Sequence, residues 1–130
     1  MDALTVRIQT AARALGQLAE LCNLTHLSDV ERDAALQRFE YTLEAIWKAA
    51  KVYLDEREGL RVSSPKAAVR ACLQVGLLRE EEAELALQMV DDRNASAHTY
   101  NEALARTIAE RLPTYGDLLA KWLAAMREPS

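Results

Sequence analysis

A chain of 130 residues fits one domain and is long enough to bury a core. Its 16 basic and 20 acidic side chains leave a formal charge of −4, which excludes a general nucleic-acid coat, because phosphate binding over a wide surface needs a broad basic patch. A small local basic site is compatible with that balance. Half of the residues are hydrophobic, with few aromatics, four Gly and three Pro, and the abundant Ala and Leu favour helix over sheet.

Cys22 and Cys72 stand far apart and form no CxxC, so neither a disulfide scaffold nor a zinc site is expected. MDALTVRIQTAARAL carries an early acid and no continuous apolar run, unlike a signal peptide. No apolar stretch approaches the ~18 residues that a membrane helix requires. The expected location is the cytoplasm, with reduced thiols.

The first element runs from about Ala3 to Leu21. Leu4, Ile8, Ala11, Leu15, Leu18 and Cys22 recur at steps of three and four and make one apolar helix face. After a break at Asn23 to Leu27, Ser28 with Glu31 has the spacing of a capping box and opens a long helix to about Asp55. Ala35, Phe39, Leu43, Ile46, Ala50 and Tyr53 form its inner stripe. The cations Arg32, Arg38, Lys48 and Lys51 on this helix read as a solvated face. Gly59 ends it as a C-terminal cap.

Ser64-Pro65 restarts a helix, with Ser as N-cap and Pro in the first turn, and Gly76 closes it. Glu80, Glu81, Glu82 and Glu84 open the next, where first-turn acids complement the helix dipole; this use is commoner than a metal cluster. Asn101 is placed to cap a helix to Arg111, Pro113 to kink or restart the chain, and Thr114 to Met126 to complete it. Residues 127–130 read as a frayed tail. No strand-like alternation appears. The expected fold is all-α, an up-and-down antiparallel bundle of four to five helices in a single domain over residues 1–126. Trp47, Trp122, Tyr41, Tyr53 and Tyr115 read as core or interface aromatics.

One stretch departs from this plain helical rhythm: RNASAHTY, Arg93 to Tyr100. At about 100° per residue Arg93 and Tyr100 share a helix face, whereas His98 lies about 140° around from Arg93. A continuous helix splays Arg93 and His98 apart. A bend near Ser96 to Asn101 would bring them back together, and a second copy across a two-fold axis would complete the site in another way. Arg is a permanently charged planar donor suited to phosphate oxygens, and His moves protons near neutral pH. Together they suit attack of a ribose 2′-hydroxyl on the adjacent phosphodiester, with Asn94 or Ser96 adding hydrogen bonds. That chemistry needs no metal or cofactor. The other histidine, His26, sits in a distant loop, and no HxxxH or paired-acid cluster is present. The alternative is a structural polar cluster in which Arg93 and Asn94 cap a helix end. From spacing and chemistry alone that is the commoner arrangement.

The pattern Arg, four residues, His, one residue, Tyr resembles the signature of HEPN-domain proteins, in particular the small HepT-like toxins also described as nucleotidyltransferase substrate-binding proteins. RFEYTLEAIWKAAKVYL (Arg38 to Leu54) resembles that family's long second helix, SPKAAVRACLQVGLL (Ser64 to Leu78) its third, and HTYNEALARTIAERLPTY (His98 to Tyr115) its stretch after the motif. The likeness extends over nearly the whole chain, to about Met126.

The resemblance implies a homodimer with two Arg–His motifs facing one cleft, and a metal-independent endoribonuclease, in some members acting on tRNA. Arg93 and His98 would be the catalytic pair, assisted by Asn94. The family's usual partner is a minimal nucleotidyltransferase, MNT, the antitoxin, which transfers AMP onto the motif tyrosine, here Tyr100. Negative charge there would repel an RNA phosphate. An older reading of the family is a non-catalytic subunit that docks a nucleotidyltransferase and presents substrate to it. Arg70, Arg79 and Arg106 are candidates to help hold RNA.

Overall fold

A computed structural model describes residues 1–98 and 101–128 of the chain as five helices: α1 (Ala3–Cys22), α2 (Asp29–Glu58), α3 (Pro65–Gln74), α4 (Glu80–His98) and α5 (Glu102–Arg127). No strand occurs among the described residues. The architecture is the expected all-α bundle.

The ends of the helices follow from local chemistry. Ser28 accepts from the Glu31 backbone N–H at 3.1 Å while Glu31 reaches back to the Ser28 N–H at 2.9 Å, closing the capping box. Such a cap contributes about 1 kcal/mol. Ser64 caps α3 through the Ala67 N–H, and Asn101 caps α5 through the Leu104 N–H. Gly59, at φ 67°, terminates α2 in the left-handed conformation that a side chain would disfavour.

α2 is the central element and packs against α1, α3 and α5. Phe39, Leu43, Ile46, Ala50 and Leu54 are fully buried along it, and they meet Leu18 of α1 and Leu119 and Trp122 of α5 in one core. Burying each large apolar side chain contributes about 1.5–3 kcal/mol. The Phe39 ring stacks on Tyr115 with centroids 5.5 Å apart. Stepping along α4 from Asp92 back to Gln88, the α5 partner advances from Arg111 to Tyr115, so α4 and α5 run antiparallel. Stepping along α2 from Glu40 to Glu44, the α4 partner falls from Ser96 to Arg93, so these two also run antiparallel. The short α3 is therefore a connector between α2 and α4, tied to α4 by Lys66–Asp91 at 2.6 Å.

Several sequence expectations are corrected. The chain does not restart at Pro113, because α5 is a single helix from Glu102 to Arg127 with Pro113 inside it. Proline there denies the Ala109 carbonyl its partner, but Leu112, Tyr115, Leu118 and Leu119 around it are all buried, and that apolar face holds the helix together. Arg32 is buried rather than solvated, ringed by Asp29, Asp33 and Glu102. Arg38 donates to the Gln17 carbonyl of α1 at 2.7 Å. Of the aromatics expected in the core or at an interface, Trp47, Tyr53, Tyr115 and Trp122 are buried, and Tyr41 is exposed in the single chain, which excludes only the core role.

Candidate functional site

Arg93, Asn94, Ser96 and the backbone of His98 lie in the last turns of α4. Tyr100 lies outside the described residues, as does the His98 side chain. α4 continues unbroken through His98, so of the span Ser96 to Asn101, where a bend was one of two alternatives, the part up to His98 is straight helix, and residues 99–100 lie outside the described residues. The one hydroxyl proton of Ser96 faces two acceptors, the Arg93 carbonyl of its own helix at 3.0 Å and Glu40 of α2 at 2.9 Å, so this turn of α4 is tied to α2. Five residues on a continuous helix correspond to about 140° of rotation. The backbone positions of Arg93 and His98 are therefore about 140° apart around α4.

Arg93 is held from both sides. One terminal nitrogen lies 3.4 Å from Glu44 Oε2, and the other 3.3 Å from Asn94 Oδ1. About a third of its side chain stays exposed, which leaves donors for a ligand. Glu44 also accepts from the Trp47 indole at 2.9 Å and pairs with Lys48 at 3.1 Å. Burial pushes the Glu44 carboxyl up, but the bonds from Trp47 and Lys48 and the charges of Lys48 and Arg93 outweigh it, holding the pKa below the usual range. Glu44 is thus an anion among cations at neutral pH, and it aims the guanidinium.

The residue before Arg93 faces the other way. Asp92 is buried and accepts from one Arg111 nitrogen, Nη1, at both of its oxygens, at 2.8 and 3.0 Å, and from the Tyr115 hydroxyl of α5. Gln88 donates to the same hydroxyl at 3.0 Å. Burial, then the bond to Asp92, pushes the Tyr115 phenol up to about 12. The C-terminal half of α4 is therefore gripped on two faces, by α5 through Asp92 and by α2 through Arg93 and Ser96.

The surroundings differ in charge on the two sides. Next to Ser96 lies a groove of about 220 Å³ lined by Asp33, Glu40, Asn101 and Leu104, whose acids do not suit phosphate. Beyond Glu44 lies a larger groove, with Trp47, Lys48 and Lys51 on its α2 wall. Of the cations expected to help, Arg79 sits at the start of α4, paired with Glu82, and Arg106 pairs with Glu102 on α5. Arg79 is fourteen residues before Arg93, about 20 Å along the helix. The sequence did not single out Glu40, Glu44, Asp92, Arg111 and Tyr115 for the site. Its one signal was Asp92 standing directly before Arg93.

The geometry can do limited chemistry: a partly exposed, oriented guanidinium can hold a phosphate, and the hydroxyl of Ser96 and amide of Asn94 lie on the same helix end. Among the described residues no helix is long and apolar enough to cross a membrane.

The family model described as "Nucleotidyltransferase substrate binding protein like" matches residues 6–128. The chain is similar to a crystal structure of a protein from Thermus thermophilus, with 57% identity and a TM-score of 0.87 over 91% of this chain and 99% of that one. It also shares its fold with a chain from a crystal structure of a mutant toxin–antitoxin MntA–HpeT, with 13% identity and a TM-score of 0.75 over 97% of this chain and 98% of that one. A comparison with curated proteins returned no match.

Proposed function

The chain belongs to the nucleotidyltransferase substrate-binding-protein-like family, and from that premise we propose that it is the toxin half of a HEPN–MNT toxin–antitoxin pair, a metal-independent endoribonuclease of the cytoplasm with tRNA among its substrates. The observation that carries the proposal is Arg93, oriented by Glu44 and Asn94 yet with a third of its side chain open at the end of α4, inside the RNASAHTY motif. The fold shared with a toxin–antitoxin protein supports it.

In this reading His98 takes the proton from a ribose 2′-hydroxyl. The 2′-oxygen bonds to phosphorus, the bond to the 5′-oxygen breaks, and that oxygen leaves with the proton His98 took, giving a 2′,3′-cyclic phosphate and restoring the neutral imidazole. Arg93 holds the non-bridging oxygens as charge develops on them. Asn94 and Ser96 assist at the same helix end. In this reading Arg93 of one protomer works with His98 of the other in a homodimer, across a two-fold axis, and the helical course of α4 through His98 supports that pairing over one within a single chain. The MNT partner silences the site by placing AMP on Tyr100, whose added negative charge repels the substrate phosphate.

A second reading is a non-catalytic docking subunit for a nucleotidyltransferase, and the description of the matching family favours it. Intact mass of the protein produced alone and beside its nucleotidyltransferase, followed by tRNA cleavage assays of each sample, separates the two. The toxin reading expects cleavage by the unmodified protein and its loss on gaining AMP at Tyr100. The docking reading expects no cleavage by either.

A further inference from the structure

The larger groove beside Glu44 has an unusual charge for this chain. It has a volume of about 570 Å³, within the range of ligand-sized clefts of roughly 300–1,000 Å³. Arg7 of α1, Lys48 and Lys51 of α2 and Arg61 of the α2–α3 loop line it, against the acids Asp55 and Glu56. Four cations face two acids in a protein whose net charge is −4. Arg61 pairs with Asp55 at 3.5 Å and Lys48 with Glu44, while Arg7 and Lys51 are exposed and make no ion pair among the described residues. The groove is tied to the Arg93 site through one carboxylate. Lys48 and Trp47, both in its wall, bond the same Glu44 carboxylate that holds Arg93.

We propose that this groove binds the phosphodiester backbone of a single-stranded RNA segment next to the bond placed at Arg93. The proposal rests on the ribonuclease reading for the position of that bond, and on the groove itself for the binding. A concave track of cations attracts successive phosphates, and low-dielectric walls such as the Trp47 ring strengthen the attraction. The acidic groove on the Ser96 side repels the same backbone, so the strand leaves the site in one direction only, past Lys48 toward Arg7. This accounts for how an acidic protein gathers RNA without a general basic surface. An acidic protein surface would also meet these cations, but it would leave unused the guanidinium held on the same Glu44 carboxylate.

The test uses the full chain carrying His98→Ala, so that the probe survives, and a fluorescein-labelled single-stranded RNA of about 16 nucleotides. The double charge reversal Arg7→Glu with Lys51→Glu is compared with Arg13→Glu with Lys121→Glu, two exposed cations outside the groove whose reversal alters net charge equally. The groove pair is expected to weaken binding at least tenfold more than the control pair. It is also expected to flatten the dependence of log affinity on log salt by about 0.7 for each lost phosphate contact. Equal losses from both pairs, or none from the groove pair in a protein with an unchanged melting temperature, overturn the proposal. So does loss of binding to the purified nucleotidyltransferase with RNA affinity unchanged. Groove-dependent RNA binding by a parent chain that cuts no RNA sustains the groove and removes the ribonuclease reading; cleavage without groove dependence does the reverse.

Discussion

Glu44 of α2 and Arg93 of α4 meet at 3.4 Å, and this ion pair links two helices through residues 49 apart in sequence. The carboxylate also collects Trp47 and Lys48, so its charge has three partners in the fold that the unfolded chain lacks. With its folded pKa depressed, Glu44 contributes stability that is present above its unfolded value of about 4.5 and lost as pH falls through the folded value. Glu44→Gln should therefore melt below the parent at pH 7 and converge on it as the pH drops below that unfolded value. Thermal melts across the acid range check this; a constant gap at every pH would deny the linkage.

Asp92→Ala should cost about 2–3 kcal/mol in urea denaturation, since it takes the acceptor from the Tyr115 hydroxyl proton, leaving that hydroxyl only its bond from Gln88, and unpairs Arg111. The figure sits below that for a fully buried pair because the Arg111 side chain is 40% exposed and finds water. A loss under about 0.5 kcal/mol, the size of an ordinary surface change, would mean that α5 does not grip α4 through this carboxylate.

Tyr115 titrates in the opposite sense to Glu44. Its phenol is raised from 10 to about 12, so the neutral form is favoured by folding. The resulting stability is fully present below pH 10 and lost as pH rises through about 12. Tyr115→Phe keeps the ring stacked on Phe39 and removes the titration. The parent should lose melting temperature between these values more steeply than the variant, and parallel alkaline profiles would contradict the assignment.

These networks mark where the sequence stopped being legible. Capping chemistry is local, and so Ser28 with Glu31, Ser64-Pro65, Gly59 and Asn101 were each readable as helix boundaries. The apolar stripe of α2 was readable from period alone. Glu40 with Ser96 and Glu44 with Arg93 were not, because a carboxylate on a helix surface looks solvated until the facing helix is in place. At Pro113 the sequence allowed a kink or a restart, and the restart is excluded only by the burial of Leu112, Tyr115 and Leu119 on one face, which outweighs the local penalty. Within the motif, the residue types pointed to phosphate chemistry, but spacing alone left open whether a bend or a second chain joins Arg93 to His98.

Pro113→Ala should stabilise the protein by about 1 kcal/mol, because it gives the Ala109 carbonyl a donor and removes a ring from the helix interior. Chemical denaturation measures the gain. A destabilised variant would mean that the core has adapted to the shape that proline imposes on α5.

The claim that Arg93 and His98 form one catalytic site across two protomers is tested most directly by mixing two inactive variants. Arg93→Ala and His98→Ala chains, each unable to cleave tRNA alone, are unfolded together, refolded and assayed. Half of the resulting dimers carry one of each chain, and in these one of the two composite sites receives an intact Arg93 and an intact His98. Activity should return to about a quarter of the parent's. No recovery from a mixture shown to contain the mixed dimer would contradict the composite site.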